Sequence, residues 1–258
     1  MSEIKLKYSI LGIPFGFKRP VPSGWRYLSP RQFIAATHLY FGDVETNKFL
    51  QEFYNLPRLS VISLTDFQRW KLLDLIDYVR DSRVPCSHFL IPVIAGTKLM
   101  APAPMLNGMC LQQFMTVDTF FNKYAMSKKE EFLNLFIASL YLAKNERFIV
   151  TEKGHRLLDL NGRSEEIKKV DLKVKEAIFM NFTLIKTWLA KAYNHLFPEA
   201  DQDDTDKKIG KPVDWLEVFD HFVGDNIPDM EAYRAMECTD AFRVLNRKIK
   251  EAKKNGNK

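Results

Sequence analysis

Apolar residues recur along this chain three and four positions apart, which is the period of an α-helix, and one such pattern occurs twice. Residues 32–40 align with residues 113–121 at an offset of 81, and both stretches open on Gln-Phe. After a polar turn, Phe-Leu-x-x-Phe at 49–53 aligns with the same spacing at 132–136 at an offset of 83, so the turn alone has changed length. The pattern predicts a duplicated helix pair, at 28–54 and 109–142, whose core includes Phe33, Phe114, Phe132 and Phe136.

Several of these helices have recognisable start signals. Ser29 before Pro30, with Gln32 at the third helical position, predicts a capping box, and Thr65 with Gln68 and Ser127 with Glu130 repeat it. The second box opens a predicted helix at 66–80. Its apolar positions predict one apolar face made of Phe67, Trp70, Leu73, Ile76 and Val79. A further long helical region is predicted from about Ser164 to Phe197.

Proline and glycine interrupt the helical pattern in two places. Residues 1–27 are predicted to form an extended amino-terminal arm with one or two short strands, and residues 82–108 a second arm with short strands at 89–91 and 93–95. The intervening and following helices form a predicted core at 28–197. Within this core a small hairpin is predicted around 152–154. Beyond the core come an acidic linker at 198–212 and a carboxyl-terminal module at 213–258, with helices at 214–222, at 229–236 and from Thr239.

The fold class that this pattern indicates is mainly α, a helical bundle that contains a duplicated helix pair, extended proline-rich arms and at most a few short strands. With 258 residues, 46% apolar and 27% charged, the composition is typical of a soluble globular protein. Three cysteines, an odd and scattered set, favour a reducing compartment over a disulfide framework. The sequence has no secretory signal and no apolar run long enough for a bilayer, so we expect a cytoplasmic protein without membrane contact.

The formal charge of +6 is concentrated at the two ends of the chain. Residues 1–31 and residues 247–258 each carry a net charge of +5, whereas the body between them carries −4. A basic carboxyl-terminal helix fits nucleic acid, an acidic protein surface, or only water and the helix dipole. The candidate contact residues are Arg247, Lys248, Lys250, Lys253 and Lys254.

No familiar catalytic, cofactor or metal motif is present in the sequence. Phosphate-binding glycine loops and the G-x-S-x-G elbow are absent, and the five histidines are widely separated. The Cys86–His88 pair lacks a second pair for zinc, and the acidic run at 201–206 lacks the glycine and glutamate of a calcium loop. A helix-turn-helix interpretation of the last two helices places the basic groups at the wrong end of the second helix. We therefore predict no catalytic residues, no cofactor and no metal.

Four short sequence motifs, in a fixed order, resemble those of a known group of proteins. These are Phe-Ile-Ala-Ser-Leu-Tyr at 136–141, His-Leu-Phe-Pro at 195–198, Asp-Trp-Leu at 214–216 and the helix Asp-Ala-Phe-Arg-Val-Leu-Asn-Arg at 240–247. With the Gln-Phe helix that follows a proline-bearing arm, they resemble uncharacterised proteins encoded in the tail-gene region of bacteriophages and prophages. The resemblance spans roughly residues 28–250.

The resemblance implies a tail structural component or an assembly chaperone, located in the cytoplasm of a bacterial host or in the virion, and it transfers no catalytic residues. We hypothesise a non-enzymatic protein that acts in tail assembly through its arms and its basic end. Its expected partners are other phage structural or assembly proteins, or copies of itself. The alternative is a nucleic-acid-binding regulator that uses the basic carboxyl-terminal helix.

Overall fold

The computed structural model describes residues 2–10, 12–42, 44–81, 83–148, 158–197, 214–224 and 229–256. Packing divides the chain into two compact units, residues 1–86 and residues 87–258. The predicted core at 28–197 is thus split between the units, and each copy of the repeat belongs to a different one. The acidic linker at 198–212 and the hairpin around 152–154 lie outside the described residues.

The first unit begins with an antiparallel hairpin, β1 (Ser2–Ile10) and β2 (Ile13–Val21), in which Leu6 is paired with Phe17. Side chains alternate along β1, so that Ile4 and Leu6 are buried while their neighbours face water. The Tyr8 hydroxyl lies 2.8 Å from the Ser60 hydroxyl, and Gln68 Nε2 donates to the Lys7 carbonyl at 2.8 Å. The predicted amino-terminal arm is therefore a paired hairpin held by its own unit.

Four helices follow, and two of them have the predicted caps. They are α1 (Pro30–Phe41), α2 (Thr46–Tyr54), α3 (Arg58–Ile62) and α4 (Asp66–Asp74). The capping boxes at Ser29 and Thr65 are both confirmed. Short 3-10 helices occupy Trp25–Tyr27 and Asp77–Arg80.

The predicted helix at 66–80 is too long, and a tertiary hydrogen bond explains where it ends. The Tyr54 hydroxyl donates to the Leu72 carbonyl at 2.7 Å. In a continuing α-helix that carbonyl would accept from the Ile76 amide, which donates instead to Leu73 at 3.0 Å. The chain therefore leaves α-helical geometry after Asp74 and tightens into the 3-10 helix.

The second unit contains the second copy of the repeat as α5 (Leu111–Ser127) and α6 (Glu130–Leu140). The capping box predicted at Ser127 is wrong, because α5 continues through this residue and its hydroxyl donates to Lys123 at 2.7 Å. Lys128 then adopts a left-handed conformation with φ 56°, and Lys129 starts α6 without a side-chain cap.

Five further helices of the second unit lie in the described part of the chain. They are α7 (Leu160–Ile167), α8 (Leu172–Ala192), α9 (Trp215–Val223), α10 (Met230–Ala235) and α11 (Cys238–Gly256). The long region predicted at 164–197 is broken where Asp171 caps α8 by accepting from the Lys173 amide at 2.9 Å. Helices α9 and α11, which the sequence assigned to a carboxyl-terminal module, lie in the same unit as the second copy of the repeat. None of the helices in the described ranges combines the length and apolarity needed to cross a bilayer.

The predicted second arm, 82–108, is a packed part of its unit from residue 87 onward. Its described residues form one short strand, β3 (Leu99–Met100), which pairs with β4 (Leu142–Ala143), and neither predicted strand is present. The Asn181 side chain accepts from the Leu90 amide at 2.6 Å and donates to the His88 carbonyl at 3.1 Å. These bonds satisfy the backbone of an irregular segment that is buried at Leu90, Ile91 and Ile94. The segment is therefore held on its own unit, although Val93, Met100 and Met105 are exposed.

Candidate interaction surfaces

The aromatic core of the second unit is centred on Phe114. Its ring centroid lies 4.7 Å from that of Phe242, 5.3 Å from Trp215 and 6.1 Å from Phe197. These rings come from α5, α9, α11 and the end of the α8 region, so one side chain of the repeat holds four segments together. Of the four predicted core phenylalanines, Phe33, Phe114 and Phe136 are buried, whereas Phe132 is only half-buried.

The two glutamines that open the repeat have different roles. Gln32 completes the capping box of Ser29 and remains near the surface. Gln113 is buried and donates to the carbonyls of Ser139 and Leu140 at 3.0 and 3.3 Å, near the end of α6. The second copy thus uses its glutamine to bind its own helix pair together, which the sequence alignment did not reveal.

A buried carboxylate, Asp118, connects three helices of the second unit. It is 1% exposed, its Oδ1 accepts from Lys186 Nζ at 2.6 Å, and its Oδ2 accepts from Trp215 Nε1 at 2.8 Å and from Asn122 Nδ2 at 3.0 Å. Both oxygens are therefore occupied by protein donors. This arrangement anchors α9 and α8 to α5.

A second buried charge joins α6 to α8. Lys175 is 1% exposed, and its amine donates to Glu130 at 2.5 Å and to the Asn134 side chain at 3.2 Å. Sequence analysis did not single out this lysine, because a charge beside an apolar helical stripe normally faces water. Its two partners compensate for the loss of hydration.

A third ion pair lies in an open groove formed around β4 and α7. Arg163 contacts Glu146 at 2.5 Å and also donates to the Tyr141 carbonyl at 3.1 Å, while Glu146 accepts from the Ala143 amide at 2.8 Å. Burial alone would raise the pKa of Glu146, but the hydrogen bonds from Arg163 and Ala143 and the arginine charge together lower it. The ionised carboxylate is therefore the form that stabilises the folded state.

We expect the Glu146 contribution to stability to disappear in acid. Because its pKa is lowered on folding, the contribution is present above the pKa of the unfolded chain and is lost as the pH falls through the folded value. The carboxylate is partly exposed, so Glu146→Gln should cost only about 0.5–1 kcal/mol near neutral pH and nothing measurable in strong acid. Urea titrations of wild type and variant at several pH values measure this difference. Glu165→Gln, at the more exposed Lys168 ion pair, is the matched control. A cost that persists unchanged at low pH would contradict the assignment.

The described histidines and cysteines do not gather into a metal site. Within the described residues no group of three potential metal ligands occurs, and His155 lies outside them. His38 is buried in the first unit, whereas His221 is exposed on α9. Within the described residues, none of the thiols of Cys86, Cys110 and Cys238 forms a disulfide bond. Burial raises the pKa of the Cys110 and Cys238 thiols, which disfavours the reactive thiolate.

An exposed apolar surface on the first unit was not predicted. Phe67 and Trp70 on α4 are 69% and 60% exposed, and their rings stack with centroids 6.2 Å apart. Leu59 and Ile62 on α3 are also exposed. We call these four residues the aromatic surface. The apolar spacing predicted that both aromatic side chains share one apolar face, but it did not predict that they are exposed, and the residue that α4 buries is Leu72.

Two polar side chains fix α4 so that this surface faces outward. Arg69 contacts Asp66 at 3.0 Å and donates to the Ile62 carbonyl at 3.1 Å, which joins α4 to the end of α3. Gln68 reaches the hairpin through the Lys7 carbonyl. The orientation of the aromatic pair is therefore determined by bonds on both sides of the helix.

The five predicted contact residues all lie on α11, and all are exposed. The helix buries its first half through Cys238, Ala241, Phe242 and Leu245. The Cys238 amide donates to the Met109 carbonyl at 2.9 Å, and Glu237 accepts from the Gly108 amide at 2.9 Å. Because a helix-turn-helix protein needs the start of its second helix free to enter a groove, these contacts disfavour that interpretation.

Comparison of the chain with models of protein families, with curated proteins and with solved structures finds no match. The resemblance to phage tail-region proteins therefore stays a prediction. The surfaces described above are the basis for a functional proposal.

Proposed function

We propose that this chain is a non-enzymatic phage or prophage protein that acts through protein–protein contacts in tail assembly. The observation that carries the proposal is the aromatic surface of the first unit. A stacked Phe-Trp pair that is mostly exposed has a hydration cost that another protein surface would remove.

The size of the aromatic surface supports binding to a protein. The stacked Phe67 and Trp70 alone expose roughly 300 Å², which is at the lower end of the range for the largest apolar patch on a typical monomer, one that is often functional. A standard interface takes about 800 Å² from each partner, so this pair would supply more than about a third of one side. Tryptophan is also among the residues that contribute most to binding energy.

The chemistry around the surface favours an amphipathic helix of another protein as the occupant. Phe67 and Trp70 are three positions apart on α4, which presents a ridge that an apolar helix stripe can cover. Exposed Lys71 and Asp74 stand beside the pair and offer polar contacts of both signs at the rim. The resemblance identifies other tail structural or assembly proteins as the source of this helix, in the host cytoplasm or in the virion.

The proposal predicts that Phe67→Ser with Trp70→Ser abolishes capture of a tail component. Affinity purification of the tagged full chain from phage-infected or induced cells, followed by mass spectrometry, is the measurement. Because removal of two central anchors costs at least about 2 kcal/mol each, recovery should fall by more than about tenfold. Leu216→Ser, which removes an exposed apolar side chain from the second unit, should leave recovery unchanged.

Stability of the double variant separates binding from folding. Both side chains are largely exposed, so the free energy of unfolding should change by no more than about 0.5 kcal/mol per substitution. Failure of the wild-type chain to recover any protein encoded by the tail genes would overturn the proposal. So would equal recovery by the double variant.

A further inference from the structure

Four basic residues on α11 form a straight line along one face of the helix. Arg243, Arg247, Lys250 and Lys254 follow one another at intervals of four, three and four positions. At 3.6 residues per turn these positions fall within about 60° of arc and extend for about 16 Å along the helix. We call these four residues the basic stripe.

The basic stripe points away from the body of the second unit. Ala241, Phe242 and Leu245, which pack into the core, lie on roughly the opposite side of the same helix. All four stripe residues are exposed. Past Ile249 every described side chain up to Lys254 is exposed, so the last turns of the helix are open to solvent.

The charges of the basic stripe are largely uncompensated. Arg243 contacts Asp240 at 3.0 Å, a pair in which both side chains are more than half exposed. Within the described parts of the chain, Arg247, Lys250 and Lys254 have no carboxylate at ion-pairing distance. Lys253 lies beside the stripe, whereas the Lys248 amine lies over the Phe222 ring, 5.5 Å from its centroid. The one acidic residue between 243 and 254 is Glu251, so a polyanion would meet up to five positive charges.

The absence of apolar side chains in the stripe favours phosphate over an acidic protein. Protein interfaces have an apolar or aromatic centre that is depleted in charge, as the aromatic surface has. Contacts to a nucleic acid backbone need only Lys and Arg side chains that reach phosphates, and a duplex presents a phosphate every 3.4 Å or so along each strand. The four charges lie about one helical turn apart, so all of them can reach phosphates along the edge of one groove.

We propose that the basic stripe of α11 binds the phosphate backbone of duplex nucleic acid without regard to sequence. This activity goes beyond the proposed protein–protein function and uses a different unit of the chain. The buried start of α11 keeps base-reading geometry out of reach, so the contact is electrostatic. Four phosphate contacts should then release about four condensed counterions.

The salt dependence of binding by the full chain tests the proposal. Fluorescence anisotropy with a labelled random-sequence duplex of about 20 base pairs, between about 50 and about 200 mM KCl, should give a log–log slope near −3.6. Lys250→Gln with Lys254→Gln should reduce the magnitude of that slope by about 1.8, because each lost phosphate contact removes about 0.9. Lys250→Arg with Lys254→Arg should keep the wild-type slope.

A control with the same change in net charge distinguishes the stripe from overall basicity. Lys144→Gln with Lys169→Gln removes two exposed lysines from elsewhere on the second unit and should leave the slope unchanged. Equal effects of the two double variants would overturn the proposal. Absence of binding at the lowest salt would overturn it as well, and retention on polyglutamate without retention on duplex would indicate an acidic protein instead. The tail-component purification with the Phe67 and Trp70 variant is independent of all these outcomes.

Discussion

Phe114→Ala is expected to lower the free energy of unfolding of the second unit by about 3–5 kcal/mol. The side chain is fully buried, and its ring contacts those of Phe182, Phe197, Trp215 and Phe242. Truncation would remove the buried apolar area and leave a cavity that rings from four different segments cannot close together. Urea titration, with hydrogen exchange followed in peptides of α5 and α8, measures the loss.

The size of this effect depends on burial rather than on the residue type. Phe67→Ala is the matched control, because the same side chain on α4 is 69% exposed, and it should cost no more than about 0.5 kcal/mol. A cost of less than about 1 kcal/mol for Phe114→Ala would contradict the central position of Phe114 in the aromatic core of the second unit.

Asp118→Ala is expected to cost about 3 kcal/mol, the lower end for the loss of one partner from a buried ion pair. The substitution leaves the Trp215 indole N–H without its acceptor and Lys186 without its counter-charge. The lysine side chain is 29% exposed and can recover part of its hydration, which keeps the cost from being larger. The same urea and exchange measurements apply, and increased exchange in α9 peptides is expected because Trp215 is held by this bond.

Asp240→Ala provides the comparison for Asp118→Ala. Asp240 also contacts a basic side chain, Arg243, at 3.0 Å, but that pair is solvent-exposed and should contribute less than about 1 kcal/mol. We do not expect Asp118→Asn to restore stability. The two carboxylate oxygens accept hydrogen bonds from three donors, and the asparagine NH₂ group, itself a donor, would face at least one of them. A cost for Asp118→Ala equal to that for Asp240→Ala would refute the anchoring role.

Local signals in the sequence predicted the helices well wherever a single turn decides the outcome. The caps at Ser29 and Thr65 and the helix closed by Gly224 are confirmed, and so is the mainly α fold. Ser127 shows the limit of such signals. Its sequence has the residues of a capping box, but an uninterrupted α5 followed by a left-handed Lys128 places the start of α6 two residues later than that box requires.

The faces of the helices were predicted less well than their positions. Periodicity correctly indicated core positions at Phe33, Phe114 and Phe136, but it did not show that Phe67 and Trp70, on an equally regular apolar face, are exposed. An apolar stripe has the same appearance whether its own chain covers it or leaves it open for another protein. The aromatic surface therefore could not be recognised before the packing of α4 was known.

The exposure of the five basic residues proposed as contacts is the part of the candidate surfaces that the sequence predicted correctly. Charge counting located all five on the carboxyl-terminal helix, because charged side chains at a chain end are rarely buried. Their alignment with Arg243 into one stripe also follows from helical spacing. The exposure of this stripe to solvent, however, depends on the opposite side of the helix, where Leu245 is buried and Phe242 packs against Phe114.

The sequence by itself determined the helical class, most helix starts, the duplicated helix pair and the basic end, since each depends on residues within a few turns of one another. Only the tertiary structure decided that residues 1–27 contain a bound hairpin, that the 82–108 segment packs on its unit through buried side chains such as Leu90 and Ile94, and that Asp118 and Lys175 are charges inside a core. These outcomes depend on partners 40 to 100 positions away, such as Asn181 for Leu90 and Trp215 for Asp118. A local pattern carries no information about partners at that distance, because loop closure and packing bring them together.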